Sequence, residues 1–242
     1  MTTRTDIGDY AGPNASSPVR LVYTRKCGWI DLGHANPKGQ GYIGASALWK
    51  QIQAKTTVDP SRSHSKDVVE VFYTQVMLKG WLKKLPAETQ SVLPLAGWPV
   101  GRTHAFHVRR YLSSEAEQKS IALAIFLDVS IAFESLQSNW FYKMVTDSGF
   151  SAEDLVSNLI GFYRAVQPGV DYVGLCEPVS KDQALAIWDK YGPVGGHKNQ
   201  STRPILFPDS ASNNDVPAQA VLPSFLNVIR PAVMGQKFNR FW

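Results

Sequence analysis

Two carboxylates lie inside an apolar stretch of the sequence, where an ionised side chain is costly. Asp128 and Glu134 fall in a predicted helix, and helical periodicity places Glu134 on the same stripe as Leu123 and Leu127. Burying an ionised carboxylate is unfavourable unless it is paired, bound to a metal or kept protonated. Each of the two is therefore either a satisfied structural carboxylate or a catalytic acid, base or metal ligand.

A second group of reactive side chains lies in the segment CGWIDLGH at positions 27–34. If this segment turns helical, Asp31 and His34 are neighbours on one face. The aspartate would then orient the imidazole or share a divalent metal with it. Cys27 adds the alternative of a thiol nucleophile with a histidine as its base. The glycines and Trp29 are also typical of a tight buried turn that does no chemistry.

A third group lies in the segment SAEDLVSNLIG at positions 151–161. Asp154 and Asn158 are one helical turn apart and project together, although Asp154 also completes a capping box with Ser151. The mid-helix Asn158 indicates a buried hydrogen bond, and Gly161 indicates that another backbone packs closely there. We assign Asp154, Asn158 and Arg109 to substrate binding.

Periodicity and caps predict the elements that position these groups. Strands are expected at 19–24 and 68–77, an extended piece at 106–112, and helices at 46–55, 151–166 and 180–191. A capping box at Ser114 opens a helix of about 33 residues, up to position 146, with apolar side chains on every side. The predicted fold is α+β and predominantly helical, with this long buried central helix wrapped by shorter helices and a small sheet. Residues 1–18 form an extended arm, 19–242 a single globular domain, and 192–242 are largely irregular.

Composition excludes several functions. No run approaches the roughly 18 apolar residues of a membrane span. Basic residues come in pairs at most and form no nucleic-acid-binding motif, so nucleic acid is not an expected partner. The net charge of +5 either serves solubility or attracts a polyanion such as cell wall. The N-terminus carries no secretory signal, so we expect synthesis in the cytoplasm. If the protein acts outside, either it leaves by a route that needs no cleaved leader, or a leader has been removed. Cys27 and Cys176 allow one disulfide, which the sequence does not decide.

The segments at 23–34, 132–134 and 151–161 together resemble a bacterial family of unknown function whose members are often labelled putative lipoproteins. Its pattern is a G-[FW]-I-D-x-x-H block, a helix glutamate and an E-D-x-x-S-N-x-x-G block. The resemblance implies an envelope setting in bacteria and a single constellation of polar residues. That constellation comprises Asp31, His34, Glu134, Glu153, Asp154 and Asn158.

Glu134-Ser135 after an apolar helix is also similar to the catalytic Glu-Ser of lytic transglycosylases and goose-type lysozymes. This second resemblance implies that Glu134 has a raised pKa and protonates a glycosidic oxygen. The glycine-containing downstream blocks of those enzymes are absent from this chain.

These patterns predict a hydrolase of the bacterial envelope that degrades peptidoglycan and serves as a secreted antibacterial effector. Glu134 would be the acid or base, while His34 and Asp31 would assist it or hold, with Glu134, a divalent metal. An effector of this kind would have an immunity protein or a chaperone as partner.

Two alternatives stay open from the sequence. One is an amidase or acyl hydrolase in which Cys27 acts with a histidine, and the other is a non-catalytic envelope-binding domain. Glu134 exposed at the floor of a cleft would favour the enzyme. Glu134 fully buried and paired to arginine or backbone would favour the binding domain.

Overall fold

A computed structural model describes residues 2–13, 19–38, 44–56, 68–77, 100–138, 150–208 and 216–242 of the chain. Its contacts divide the chain into two compact units, one made of Met1–Pro37 and Glu134–Val228, the other of Lys38–Phe133 and Ile229–Trp242. In the described part, no helix is both long and apolar enough to cross a membrane. The predicted division into an arm at 1–18 and one domain at 19–242 stays a prediction.

The described residues contain α-helices and small antiparallel sheets. The helices are α1 (Ala45–Lys55), α2 (Glu115–Ser138), α3 (Asp154–Val166), α4 (Tyr172–Leu175) and α5 (Lys181–Tyr191). The strands are β1 (Leu21–Thr24), β2 (Gly28–Asp31), β3 (Val68–Met77), β4 (Val100–Arg109), β5 (Ile205–Leu206), β6 (Ala218–Gln219) and β7 (Phe238–Arg240). They form three sheets in the orders β1-β2, β3-β4-β7 and β5-β6.

The prediction of a predominantly helical fold around one long buried central helix is wrong. Helix α2 has 24 residues, and the predicted continuation at 139–146 lies outside the described residues. One side of α2 is buried, with Ile121, Ile125 and Val129 at 0% exposure, but Ile131 is 46% exposed. A helix with apolar residues on every side need not be buried on every side, because apolar atoms make up much of the surface of any folded protein. Strands and the other helices supply the remaining buried apolar residues.

The sheet of the second unit was only partly predictable. Strand β3 has the predicted bounds of 68–77. Strand β4 begins at Val100, six residues before the predicted extended piece at 106–112. The sequence did not reveal this start because the glycine, arginine and histidines of β4 weaken its strand pattern. Strand β7 pairs with β4 through only three residues, inside the region predicted to be largely irregular. So short a strand is determined by its partner more than by its own sequence.

The hairpin β1-β2 forms the framework of the first unit, and all residues of its two strands are buried. Leu21 pairs with Asp31 and Thr24 pairs with Gly28, so the chain reverses at 25–27. Gly28 has φ +66°, and a Cβ there would lie 2.2 Å from the carbonyl oxygen of Ile205, so a side chain does not fit. Helix α3 packs on β2, and α5 packs on β1.

Serine caps mark the starts of α2 and α5, whereas α3 begins at Asp154, three residues after its predicted start at 151. Ser180 accepts a hydrogen bond from the Gln183 amide at 3.3 Å and completes a capping box at the start of α5. Ser114 likewise accepts from the Glu117 amide at 3.2 Å, directly before α2. The side-chain oxygen in each case satisfies an amide that the helix leaves free. The predicted starts of α2 and α5 are therefore confirmed to within one residue.

The one-sided burial of α2 predicts a difference between two isoleucines. Ile125→Ala is expected to lower the free energy of unfolding by about 2–5 kcal/mol, since it removes a fully buried side chain and leaves a cavity. Ile131→Ala changes a side chain that is 46% exposed, and its loss should stay below about 1 kcal/mol. Urea unfolding of both variants measures the difference, and equal losses would show that both faces are buried.

Candidate functional site

Asp31 ends β2 and holds the turn that follows it. One carboxylate oxygen accepts hydrogen bonds from the amides of Gly33 at 2.7 Å and His34 at 3.4 Å. The other accepts from Arg20 Nε at 3.0 Å and Nη2 at 2.9 Å. Burial opposes ionisation of Asp31, but the charges of His34 and Arg20 outweigh burial and hold its pKa below the usual value. The contacts of Asp31 are thus those of a residue that positions a turn.

His34 lies in that turn and is the most accessible of the residues that converge here. Its side chain is 27% exposed, and its Nδ1 lies 3.4 Å from Asp154 Oδ1. This separation is an ion-pair distance, but the atoms are not aligned for a hydrogen bond, and Nδ1 is buried without a hydrogen-bond partner. The backbone of the turn is fixed by Arg164, whose Nη1 donates to the Ala35 carbonyl at 2.9 Å.

Gly161 makes this arrangement of turn and helix possible. A Cβ at Gly161 would lie 2.8 Å from the carbonyl oxygen of His34 and 3.3 Å from the carbonyl carbon of Ala35. The expectation that another backbone packs closely at Gly161 is therefore confirmed. The glycine on α3 sets how near His34 comes to the carboxylates at the start of the same helix.

Glu134 is fully buried, at 0% exposure. Its Oε2 accepts a hydrogen bond from the amide of Phe150 at 3.3 Å, and its Oε1 has no hydrogen-bond partner. Burial raises the pKa of Glu134 to about 7, against the opposing effect of the Phe150 amide. Phe150 itself has φ +56°, an uncommon conformation for a residue with a side chain.

Two further carboxylates stand next to Glu134 at the start of α3. Asp154 is 5% exposed, and its Oδ2 accepts from the Ser151 amide at 2.8 Å. Burial and the neighbouring Glu134 raise its pKa well above the usual value. Glu153 is 3% exposed, its Oε2 lacks a hydrogen-bond partner, and burial together with Asp154 raises its pKa to about 8. Burial thus outweighs the stabilisation that a helix N-terminus gives to an anion.

We call His34, Glu134, Glu153 and Asp154 the His34 cluster. Within it, His34, Glu134 and Asp154 each offer one ligand atom, and these three atoms all lie within 4.8 Å of one another. The predicted convergence of these three residues is confirmed. Three buried atoms of the cluster lack a hydrogen-bond partner, namely His34 Nδ1, Glu134 Oε1 and Glu153 Oε2. Buried polar atoms normally have partners, so this arrangement is suited to a group that supplies them, such as shared protons or a divalent cation.

The other predicted site residues take no part in the contacts described for the His34 cluster. Asp31 lies outside the three-residue group of possible metal ligands and contacts the turn instead. Asn158 is half-buried, one turn after Asp154 on α3, and none of the hydrogen bonds described for the cluster reaches it. Arg109 belongs to the other unit, where it is exposed and its backbone amide donates to the Lys237 carbonyl at 3.0 Å. Their assignment to substrate binding stays a prediction.

Asp128 is a satisfied structural carboxylate, one of the two alternatives that the sequence left open. His104 Nδ1 lies 2.6 Å from its Oδ2, and Arg240 Nη1 lies 3.3 Å from the same oxygen. Both partners come from strands that pair in the sheet of the second unit. No local sequence pattern reveals such partners, because they are distant in the chain.

Cys27 is 2% exposed, and its sulfur lies 2.9 Å from that of Cys176. A buried sulfur that faces another sulfur is poorly placed to attack a substrate. Sequence reasoning missed Arg20, which pairs with Asp31, and Ser157, whose Oγ contacts the Asp31 amide at 3.0 Å. Hairpin register and helix packing bring these residues together, and neither can be read from spacing.

Comparison with known proteins gives no relative for this chain. No family model matches the sequence. No curated protein matches it, and no solved structure matches the fold.

Proposed function

We propose that this chain is a hydrolase of the bacterial envelope that uses a divalent cation held by the His34 cluster, with peptidoglycan as its substrate class. The observation that carries the proposal is the convergence of His34, Glu134 and Asp154. Their ligand atoms lie within 4.8 Å of one another, and two of the three residues contribute a buried atom without a hydrogen-bond partner.

The donor set supports a divalent cation. An imidazole nitrogen with carboxylate oxygens suits zinc, manganese or iron. Ligands of zinc lie about 2.0–2.2 Å from the ion, so small inward rotations of these side chains would close the cluster around it. A cation would also offset the cost of keeping the carboxyl groups of Glu134, Glu153 and Asp154 together in a buried site.

Each residue of the cluster has a distinct role in the proposed reaction. His34, Glu134 and Asp154 hold the cation, and the partly exposed side chain of His34 marks the side from which substrate approaches. A divalent cation makes a bound water a stronger nucleophile. Glu153 would give or take a proton beside the cation, because its Oε2 has no hydrogen-bond partner and burial raises its pKa to about 8.

The substrate class rests on charge and on the resemblance to a bacterial envelope family. A net charge of +5 favours association with anionic polymers such as cell wall. Synthesis in the cytoplasm followed by export, and an immunity protein or chaperone as partner, belong to the same proposal. An effector that attacks cell wall has to be kept from its own producer.

One observation favours a second candidate, a non-catalytic envelope-binding domain. Glu134 is fully buried, and one of its oxygens is bonded to the Phe150 amide. A group in that position does not meet solvent. In the metal-dependent reaction, however, Glu134 acts as a ligand and does not itself have to touch substrate.

Release of soluble fragments from dye-labelled sacculi tests the proposal. We expect the protein to release dye, a chelator to lower release by at least about 100-fold, and zinc or manganese to restore it. In parallel, zinc or manganese should raise the melting temperature of the chelated protein, because a cation that binds only the folded state stabilises it.

Two other outcomes would contradict the proposal, one of them the cation and the other the hydrolysis. Dye release that a chelator does not affect would contradict the cation and leave a metal-free hydrolase. Retention of the protein on sacculi without any release, with and without added metal, would support the binding domain instead.

A further inference from the structure

The two cysteines of the chain form a second pair of reactive groups, outside the His34 cluster. Their sulfur atoms are 2.9 Å apart, and the residues are 2% and 0% exposed. Two sulfur atoms in van der Waals contact lie farther apart than this, while a disulfide bond requires about 2.05 Å. We infer that Cys27 and Cys176, free thiols in this structure, are joined by a disulfide in the mature protein.

Backbone hydrogen bonds hold the two sulfurs opposite each other. At the turn of the hairpin, the Arg25 amide donates to the Glu177 carbonyl at 3.0 Å and the Lys26 amide to the Cys176 carbonyl at 3.1 Å. On the other side of this contact, the Val179 amide donates to the Tyr23 carbonyl at 3.0 Å. Because both backbones are fixed on each side of the cysteines, the bond needs only a small movement of the side chains.

The contacts of the two cysteines do not favour a catalytic thiolate or a metal site. A catalytic thiolate needs access to substrate and a lowered pKa, but Cys27 is buried, and a hydrogen bond with Cys27 and burial raise the pKa of Cys176. Among the described residues, the group that could hold a metal ion contains neither cysteine. The chain has two cysteines, so no other intramolecular pairing competes.

The bond forms by thiol–disulfide exchange with an oxidised low-molecular-weight disulfide or a disulfide oxidoreductase. The thiolate of one cysteine attacks the disulfide of the oxidant, which forms a mixed disulfide and releases one thiol. The thiolate of the second cysteine then displaces the other thiol and leaves the Cys27–Cys176 bond. The chain loses two protons and two electrons, and the oxidant is reduced to two thiols.

The cross-link joins residues 149 positions apart and ties the β1-β2 hairpin to the segment that follows α4. Strand β2 leads directly into the turn that carries His34, so the bond secures the framework of the site. Disulfides persist in oxidising compartments and are rare in the cytosol. The inference is independent of hydrolysis, since it concerns the state of two thiols and needs no substrate to be tested.

Thiol counting on the wild-type chain tests the bond. The protein is refolded in a buffer of reduced and oxidised glutathione, unfolded in guanidinium with iodoacetamide, and its intact mass is measured. We expect no alkylation of the refolded protein, and a mass two hydrogen atoms below that of the unmodified reduced chain. As a reference, the same chain treated with iodoacetamide after reduction should take up two alkyl groups. Alkylation of both cysteines, or attachment of glutathione to either one, would overturn the inference.

A stability measurement separates a bond from simple packing of two thiols. Wild type refolded with a reductant should melt roughly 5–15 °C below the oxidised protein. The matched control is Cys27→Ser/Cys176→Ser, which should melt near the reduced wild type and should not respond to reductant. A wild type with the same melting temperature in both redox states would contradict the bond, even if the double variant fails to fold.

Discussion

Replacing Glu134 by glutamine is expected to lower the release of dye from sacculi by at least about 1000-fold while the protein stays folded. The amide keeps the shape of the side chain and its hydrogen bond from Phe150, but it removes the charge that the proposed cation site needs. Since Glu134 Oε1 has no hydrogen-bond partner, the substitution breaks no contact of that oxygen. Activity, circular dichroism and the shift of melting temperature on adding zinc or manganese are measured on the same preparation.

Asp128→Asn is the matched control for this experiment. Asp128 lies on the same helix as Glu134 and lies 2.6 Å from a histidine nitrogen, but its partners belong to the sheet of the second unit. The control should retain near wild-type activity and the same response to metal. Glu134→Gln with wild-type activity would make Glu134 a structural residue, and equal losses in both variants would point to a general effect of altering α2.

The comparison of carboxylates within this one chain is the strongest argument for a functional cluster. Asp31 has Arg20 and two backbone amides, and Asp128 has His104 and Arg240. These two are satisfied by the fold itself. The carboxyl groups of Glu134 and Glu153 each keep a buried oxygen without a hydrogen-bond partner. The fold supplies partners to Asp31 and Asp128 but not to these two oxygens, which supports a bound group at the His34 cluster.

The sequence was informative where a signal is local. Serine caps predicted the starts of α2 and α5, β-branched residues predicted β3, and Gly161 predicted a close backbone contact. The convergence of His34, Glu134 and Asp154 was also predictable, because polar groups in apolar surroundings need one another. Each of these inferences depends on a few neighbouring residues or on a general cost of burial.

The rest depends on contacts between distant parts of the chain. The burial of α2 could not be read from its composition, since whether Ile131 meets solvent depends on what packs there. Strand β7 forms because it pairs with the edge of β4. The pairing of Arg20 with Asp31 follows from the register of the hairpin, in which Leu21 lies opposite Asp31. Periodicity describes one element at a time and does not predict such partners.

Arg20→Ala is expected to lower the free energy of unfolding by roughly 3–5 kcal/mol, the usual cost of leaving a buried charge without its partner. The side chain of Asp31 is 3% exposed and that of Arg20 is 32% exposed, so water cannot fully replace the lost guanidinium. Asp31 also holds the amides of Gly33 and His34. The variant should therefore lose activity as well as stability, and urea unfolding and dye release measure the two effects.

Two further variants identify the cause of this loss. Arg4 and Asp189 form an ion pair of similar geometry, at 2.7 Å, but with both side chains more than half exposed, so Arg4→Ala should have no measurable effect on unfolding. Adding Asp31→Asn to Arg20→Ala removes the unpaired charge and keeps an oxygen for the turn, so the double variant should be more stable than Arg20→Ala alone. If Arg20→Ala proves as harmless as Arg4→Ala, then Asp31 does not need Arg20, and the turn that carries His34 must be held by α3.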